Sequence, residues 1–176
     1  MKRFPTSKKL QAGFTAVEMI VVLVVGILLL AAGGATIGKM FDSTQNQQEI
    51  SNLTQLIVNT KNLRGSGGYG AATTDLVPSL IATNGIPKTM PVVSGDPKNA
   101  WNGTITVVST GAGFTITTPS VPKAACIELA TKLSRGGALT TKVGTTTAVV
   151  GEMATATATT NCASDTANSL AFTVNN

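Results

Sequence analysis

The sequence contains no histidine and only two cysteines, Cys126 and Cys162, in 176 residues. Without histidine no Ser-His or Cys-His dyad can form, and without a CxxC pair a thiolate metal site has nothing to build on. Carboxylates are sparse as well. After the apolar run near the N-terminus they are Asp42, Glu49, Asp75, Asp96, Glu128, Glu152 and Asp165, and no two share a recognisable catalytic spacing. Gly65-Ser66-Gly67-Gly68-Tyr69-Gly70 is glycine-rich, but it lacks the Lys-Ser/Thr of a phosphate-binding loop and follows a helical pattern, not a strand. Enzymatic chemistry, a cofactor and a metal are therefore not expected.

Charge is also in short supply, at 12% of residues, and aromatics make up 4%. Thirteen bases against eight acids leave a formal net charge of +5. Four of those bases, Lys2, Arg3, Lys8 and Lys9, fall within the first thirteen residues, where there is no acid. The remainder of the chain is close to neutral, so the basic balance reads as a targeting feature and no nucleic-acid partner is expected. A surface this poor in charge suits close packing between subunits.

What the sequence does have is one long apolar run. Met19 to Gly38 carries no charged side chain over twenty residues. As an α-helix it would span roughly 30 Å, the hydrocarbon thickness of a bilayer. The preceding bases predict that residues 1–13 stay in the cytoplasm and that the C-terminal bulk crosses. Glu18 stands at the entry of the run, where a lone carboxylate needs a partner or a use. A cut after Gly13 would place the new amine of Phe14 four residues from Glu18, a spacing that suits a charge partner in the same chain or on a neighbouring copy. On an exported domain, Cys126 and Cys162 are expected as a disulfide, with two reduced buried thiols as the alternative.

Gly13-Phe14-Thr15-Ala16-Val17-Glu18, with its basic leader and apolar run, resembles the prepilin peptidase signature of type IV pilins. The resemblance implies cleavage after Gly13 by prepilin peptidase and N-methylation of Phe14. It further implies retention in the bacterial inner membrane, and then assembly by the pilus machinery into a homo-oligomeric helical filament on the cell surface, serving adhesion, aggregation or conjugation. Glu18 would be the assembly residue, pairing with the Phe14 amine of a neighbour. The usual family pattern has Leu-Ile where this chain has Ala16-Val17. The implied segments are a leader over 1–13, a membrane and fibre-core half-helix over 14–38, an amphipathic half-helix over 39–65 and a globular α+β head over 66–176. A pseudopilin of a secretion system and a DNA-binding minor pilin are the alternatives within the same signature.

Periodicity supplies the elements of that head. No proline interrupts Phe14 to Arg64, and Ile50, Leu53, Leu56, Ile57 and Leu63 form a stripe at steps of three and four, after a polar stretch that includes Gln47, Gln48 and Glu49. A helix of about fifty residues would be about 75 Å long, so its second half should leave the bilayer and pack its stripe on the head. Gly26, Gly33, Gly34 and Gly38 admit two readings, close helix packing or local unwinding on leaving the membrane. Tyr69 to Asn102 reads as a long connection with a turn or two of helix at Leu76–Ile81, and Trp101 as a buried anchor at a sheet edge. Thr104–Val108 and Phe114–Thr118 predict a hairpin. Pro122 opens a helix whose apolar face is Ala125, Cys126, Leu129, Ala130 and Leu133, ended by Gly136-Gly137. Strands are expected at Lys142-Val143, Thr147–Val150 and Leu170–Val174, whereas Ala154–Thr160 alternates Ala with Thr and is too weakly apolar to assign. This layout is similar to the pilin family. The helix starting just before Cys126 and the long Cys126–Cys162 interval resemble its type IVb branch, so a type IVb-like major pilin is expected, although the short leader and Phe14 lean towards type IVa.

Overall fold

The structure, a computed structural model, describes residues 16–135 and 139–175, and within the first helix the side chains of residues 29–40 lie outside the description. The chain divides into two compact units, Met1–Asp42 and Ser43–Asn176. The helix α1, Ala16–Lys61, contributes to both.

In the first unit the sequence sets the surface. Val17, Met19 to Val25, Ile27 and Leu28 are each 49–70% exposed, on all sides of the helix. A helix apolar all round has no solvent face, so its stability in water cannot come from one packed stripe. Among the described residues no helix is long and apolar enough to cross a membrane. The expected span over 19–38 falls partly on side chains outside the description.

In the second unit the stripe on α1 is buried: Leu53 and Leu56 fully, Ile57 to 8%, with Ile50 and Leu63 half-buried against the core. Turn bonds from Leu63 N to Thr60 O and Arg64 N to Lys61 O end the helix, and Gly65 and Gly68 then pair with each other. The helix α2, Val77–Ala82, occupies the short apolar patch, with Pro78 in its first turn, where a missing N–H costs nothing. Val92-Val93 and Asp96-Pro97, β1 and β2, close a small hairpin over Ser94 and Gly95, both at positive φ. That pairing lies inside the stretch expected as a plain connection. Two-residue strands are too short to show a period.

The main sheet is antiparallel. It consists of β3 (Thr106–Ser109), β4 (Phe114–Val121), β5 (Leu139–Val143), β6 (Val149–Val150) and β7 (Asn168–Val174), in the order β3-β4-β7-β5-β6. The predicted hairpin is β3–β4, registered Val107 to Ile116. The last strand sits in the middle, with Phe172 opposite Ile116 on one side and Thr141 on the other. Strict alternation along β7 buries Asn168, Leu170, Phe172 and Val174 on one face. The outer edge of β3 is covered by residues 73–76: Leu76 N donates to Val107 O and Ser109 N to Thr74 O, both at 2.8 Å.

The helix α3, Lys123–Ser134, follows Pro122 and buries the predicted face of Ala125, Cys126, Leu129, Ala130 and Leu133. Its predicted stop at Gly136-Gly137 lies outside the described residues. The segment left unassigned is a helix, α4, Thr155–Asn161. The Ala–Thr alternation carries no helical apolar period, because the helix buries only Ala158. Alanine's helix preference and the attachment at Cys162 decide the matter.

Gly113 shows how tightly the sheet's turn is set. A Cβ there would lie 2.0 Å from the carbonyl oxygen of Val174, a backbone atom that cannot rotate away. Gly113→Ala is expected to cost about 1–3 kcal/mol through overpacking. A urea melt checks it, and an unchanged midpoint would mean that the β4–β7 pairing shifts freely.

Candidate assembly site

The residues singled out by the sequence fall into two groups. Gly13 and Phe14 lie outside the described residues. Glu18 is exposed in the first turn of α1, where a carboxylate faces the positive end of the helix dipole. It belongs to the unit Met1–Asp42, whereas both cysteines belong to Ser43–Asn176.

Cys126 and Cys162 are bonded, with Cα atoms 6.0 Å apart and both side chains fully buried. The bond fastens the C-terminal end of α4 to the first turn of α3, closing a loop with a sequence separation of 36. The Lys123–Asp165 ion pair at 3.6 Å lies beyond it, with Asp165 largely exposed, and adds little.

Two carboxylates tie α1 to the rest of the unit. Glu128 on α3 accepts from Lys132 Nζ at 2.5 Å, Asn46 Nδ2 at 2.8 Å and Gln47 Nε2 at 3.2 Å. The Lys132 bond, helped by Asn46, holds its carboxyl below the usual range against some desolvation. Glu49 is the opposite case. The sequence places it in a polar stretch, yet it is only 1% exposed. One of its oxygens accepts from Ala100 N at 3.1 Å, and Oε1 has no hydrogen-bond partner among the described residues. Burial pushes the Glu49 carboxyl up to about 7, with the Ala100 bond working against that rise.

The loop that meets Glu49 is held by Asn99, a residue the sequence did not single out. Asn99 Oδ1 accepts from Trp101 N at 3.0 Å and Gly103 N at 2.7 Å, and Nδ2 donates to Thr118 Oγ1 and to Pro119 O. Trp101 itself is half-buried against the core, as a partial anchor. Asn168 performs the same service beside α4: Nδ2 donates to Val121 O and Ser164 O, and Oδ1 accepts from Ser164 N. Of these, only Glu49 left a signal in the sequence. Glu49, Leu53, Leu56 and Thr60 follow steps of four, three and four, so helical arithmetic puts the acid on the buried face.

Among the described residues no cluster of three or more His, Cys, Asp or Glu could hold a metal ion.

Residues 43–175 match a family model described as PilS N terminal. Comparison with curated proteins gives no match. The fold is similar to the crystal structure of the type IV b pilin from Salmonella typhi, with a TM-score of 0.64 and 27% identity over 74% of this chain and 99% of that one. The NMR structure of the type IVb pilin PilS from Salmonella typhi matches at a TM-score of 0.51 and 28% identity, over 74% and 96%. TcpA, a type IV pilin from Vibrio cholerae El Tor biotype, matches at a TM-score of 0.53, over 74% and 98%; at 13% identity that likeness concerns the fold alone.

Proposed function

The chain belongs to the PilS N-terminal family and is a type IVb-like pilin, and from that premise we propose that it is the major structural subunit of a type IV pilus. The observation that carries this reading is the surface of α1 ahead of the head. Apolar side chains from Met19 to Leu28 are exposed all round, directly after Glu18 in the helix's first turn. Such a surface is stable only in lipid or among other apolar helices, and a pilin uses both in turn.

In this reading the inner membrane holds residues 14–38 until prepilin peptidase has removed residues 1–13 and the amine of Phe14 has been methylated. The assembly machinery then transfers the helix into the fibre core. There Glu18 loses water, and a buried carboxylate without compensation would be strongly destabilising. The Phe14 amine of an adjacent subunit supplies the compensating charge and sets the register. Copies related by one rotation and one translation make a heterologous contact that does not close, which gives a filament. The resulting extracellular fibre would serve adhesion, aggregation or conjugation.

Fibres sheared from cells test the reading. Their intact mass should correspond to a chain beginning at Phe14 plus one methyl group. Glu18→Ala should leave cleavage and membrane retention intact while lowering fibre yield roughly tenfold or more, with partial rescue by co-expressed wild type. A fibre subunit retaining Lys8 and Lys9 would overturn the processing step. Normal fibres from Glu18→Ala would remove the docking role of the carboxylate.

A further inference from the structure

The second unit carries a groove of about 340 Å³ between α1, α3 and the start of β5. Ile50, Ile57, Leu133 and Leu139 line it, together with Thr54 and the two bases Lys61 and Lys132. Val58, also in the lining, is 51% exposed, so the groove continues outward as an apolar surface. Lys132 is already bonded to Glu128, but among the described residues no carboxylate is paired with Lys61. The groove is therefore mostly apolar in its lining, and Lys61 brings it a positive charge not held by an ion pair among the described residues.

The same chain carries a feature of the complementary kind. Phe41 is 66% exposed and is the only exposed aromatic among the described residues; Tyr69, Phe114 and Phe172 are buried and Trp101 is half-buried. Asp42 follows it directly on α1, exposed and without a basic partner among the described residues. An aromatic side chain beside an acid fits an apolar groove beside a base. Large aromatics seated in pockets dominate the energetics of many interfaces, and a rim charge pair fixes orientation.

We propose that Phe41 and Asp42 of one copy dock in the α1–α3–β5 groove of a second copy, with the Phe41 ring on the apolar lining and Asp42 facing Lys61. This rests on the filament reading and names one of its subunit contacts. The contact is heterologous, projection on one copy and groove on the next, so it propagates along a fibre and does not close into a dimer.

Photocrosslinking in sheared fibres of the full chain tests it, with p-benzoylphenylalanine replacing Phe41 and half of the subunits labelled with ¹⁵N. The expected products are mixed-label dimers joining position 41 to peptides that contain Ile57, Val58 or Leu133. Crosslinks confined to one copy, directed to another surface or made to a different protein would overturn the proposal. Charge reversal provides a second test that does not depend on the probe. Lys61→Glu and Asp42→Lys should each lower fibre yield roughly tenfold, through like-charge contact, and the double variant should recover most of it. Normal yield from both single variants, or no recovery in the double, would sink the docking contact while leaving wild-type fibres as support for the pilin reading. If the wild-type chain makes no fibres, the filament reading itself falls.

Discussion

Replacing Cys126 and Cys162 together by alanine is expected to lower the stability of the second unit by about 3–4 kcal/mol, the loop entropy released by opening a closure with a sequence separation of 36. For a unit of this size that corresponds to a fall of roughly 10 °C in melting temperature. The loss should be unevenly distributed. The helix α4 buries only Ala158 and has no side-chain N-cap, so little besides the disulfide and its contact with α3 holds it. The sheet has its own core in Phe114, Ile116, Leu170 and Phe172, all fully buried. Hydrogen exchange should therefore show α4 losing protection well before β4 and β7. Asn168, through its bonds to Val121 O and to Ser164, should keep the start of β7 in register after reduction. Equal melting temperatures for the oxidised chain and the double alanine variant would show that the crosslink adds nothing to stability.

Raising the pH from 4.5 to 7 is expected to destabilise the same unit, with Glu49 as the cause. Its carboxyl titrates near 7 when folded and near the ordinary 4.5 when unfolded, so the folded state holds the proton more tightly. The contribution to stability is complete below 4.5, declines as pH rises towards about 7, and is gone above it. The difference amounts to about 3 kcal/mol. Glu128 has the opposite sign: its lowered carboxyl contributes stability above the ordinary value that is lost as pH falls below it. The two windows are therefore separate. Glu49→Gln keeps an acceptor for Ala100 N and carries no charge at any pH. The variant should match wild type near pH 4 and exceed it by up to about 3 kcal/mol at pH 8. Urea melts of both proteins at pH 4.5, 6 and 8 would decide the matter. Parallel profiles would assign the pH dependence elsewhere.

The position of Glu49 also shows why some of the site could not be read from composition. Among Gln45, Gln47 and Gln48 it belongs to a polar stretch, and only the face it shares with Leu53 and Leu56 marks it as buried. Whether that face covers an acid or leaves it in water depends on the loop that meets it. The loop is set by Asn99, 50 positions further on and without a motif of its own. Glu128 is a similar case: as a sequence position it is one more scattered acid, and its bonds to Asn46 and Gln47 cross more than 80 residues.

By itself the sequence determined the class of protein and the elements whose signals are local. The glycine–phenylalanine–glutamate motif ahead of an uncharged run carried the pilin resemblance. The branch was legible in the long Cys126–Cys162 interval, which points to type IVb as the comparisons do, although the leader and Phe14 lean to type IVa. The stripe on α1, the β3–β4 hairpin, the face of α3 and the alternation in β7 were legible because each repeats with the period of its own backbone. Tertiary structure decided what has no local period: that β7, last in the chain, is the central strand, that β1 and β2 pair, and that the alanine–threonine segment is a helix. The physical reason is the same in each case. A strand's neighbours, a short helix's attachment and a buried acid's partner are set by groups distant in sequence, and their energies exist only once the chain has folded.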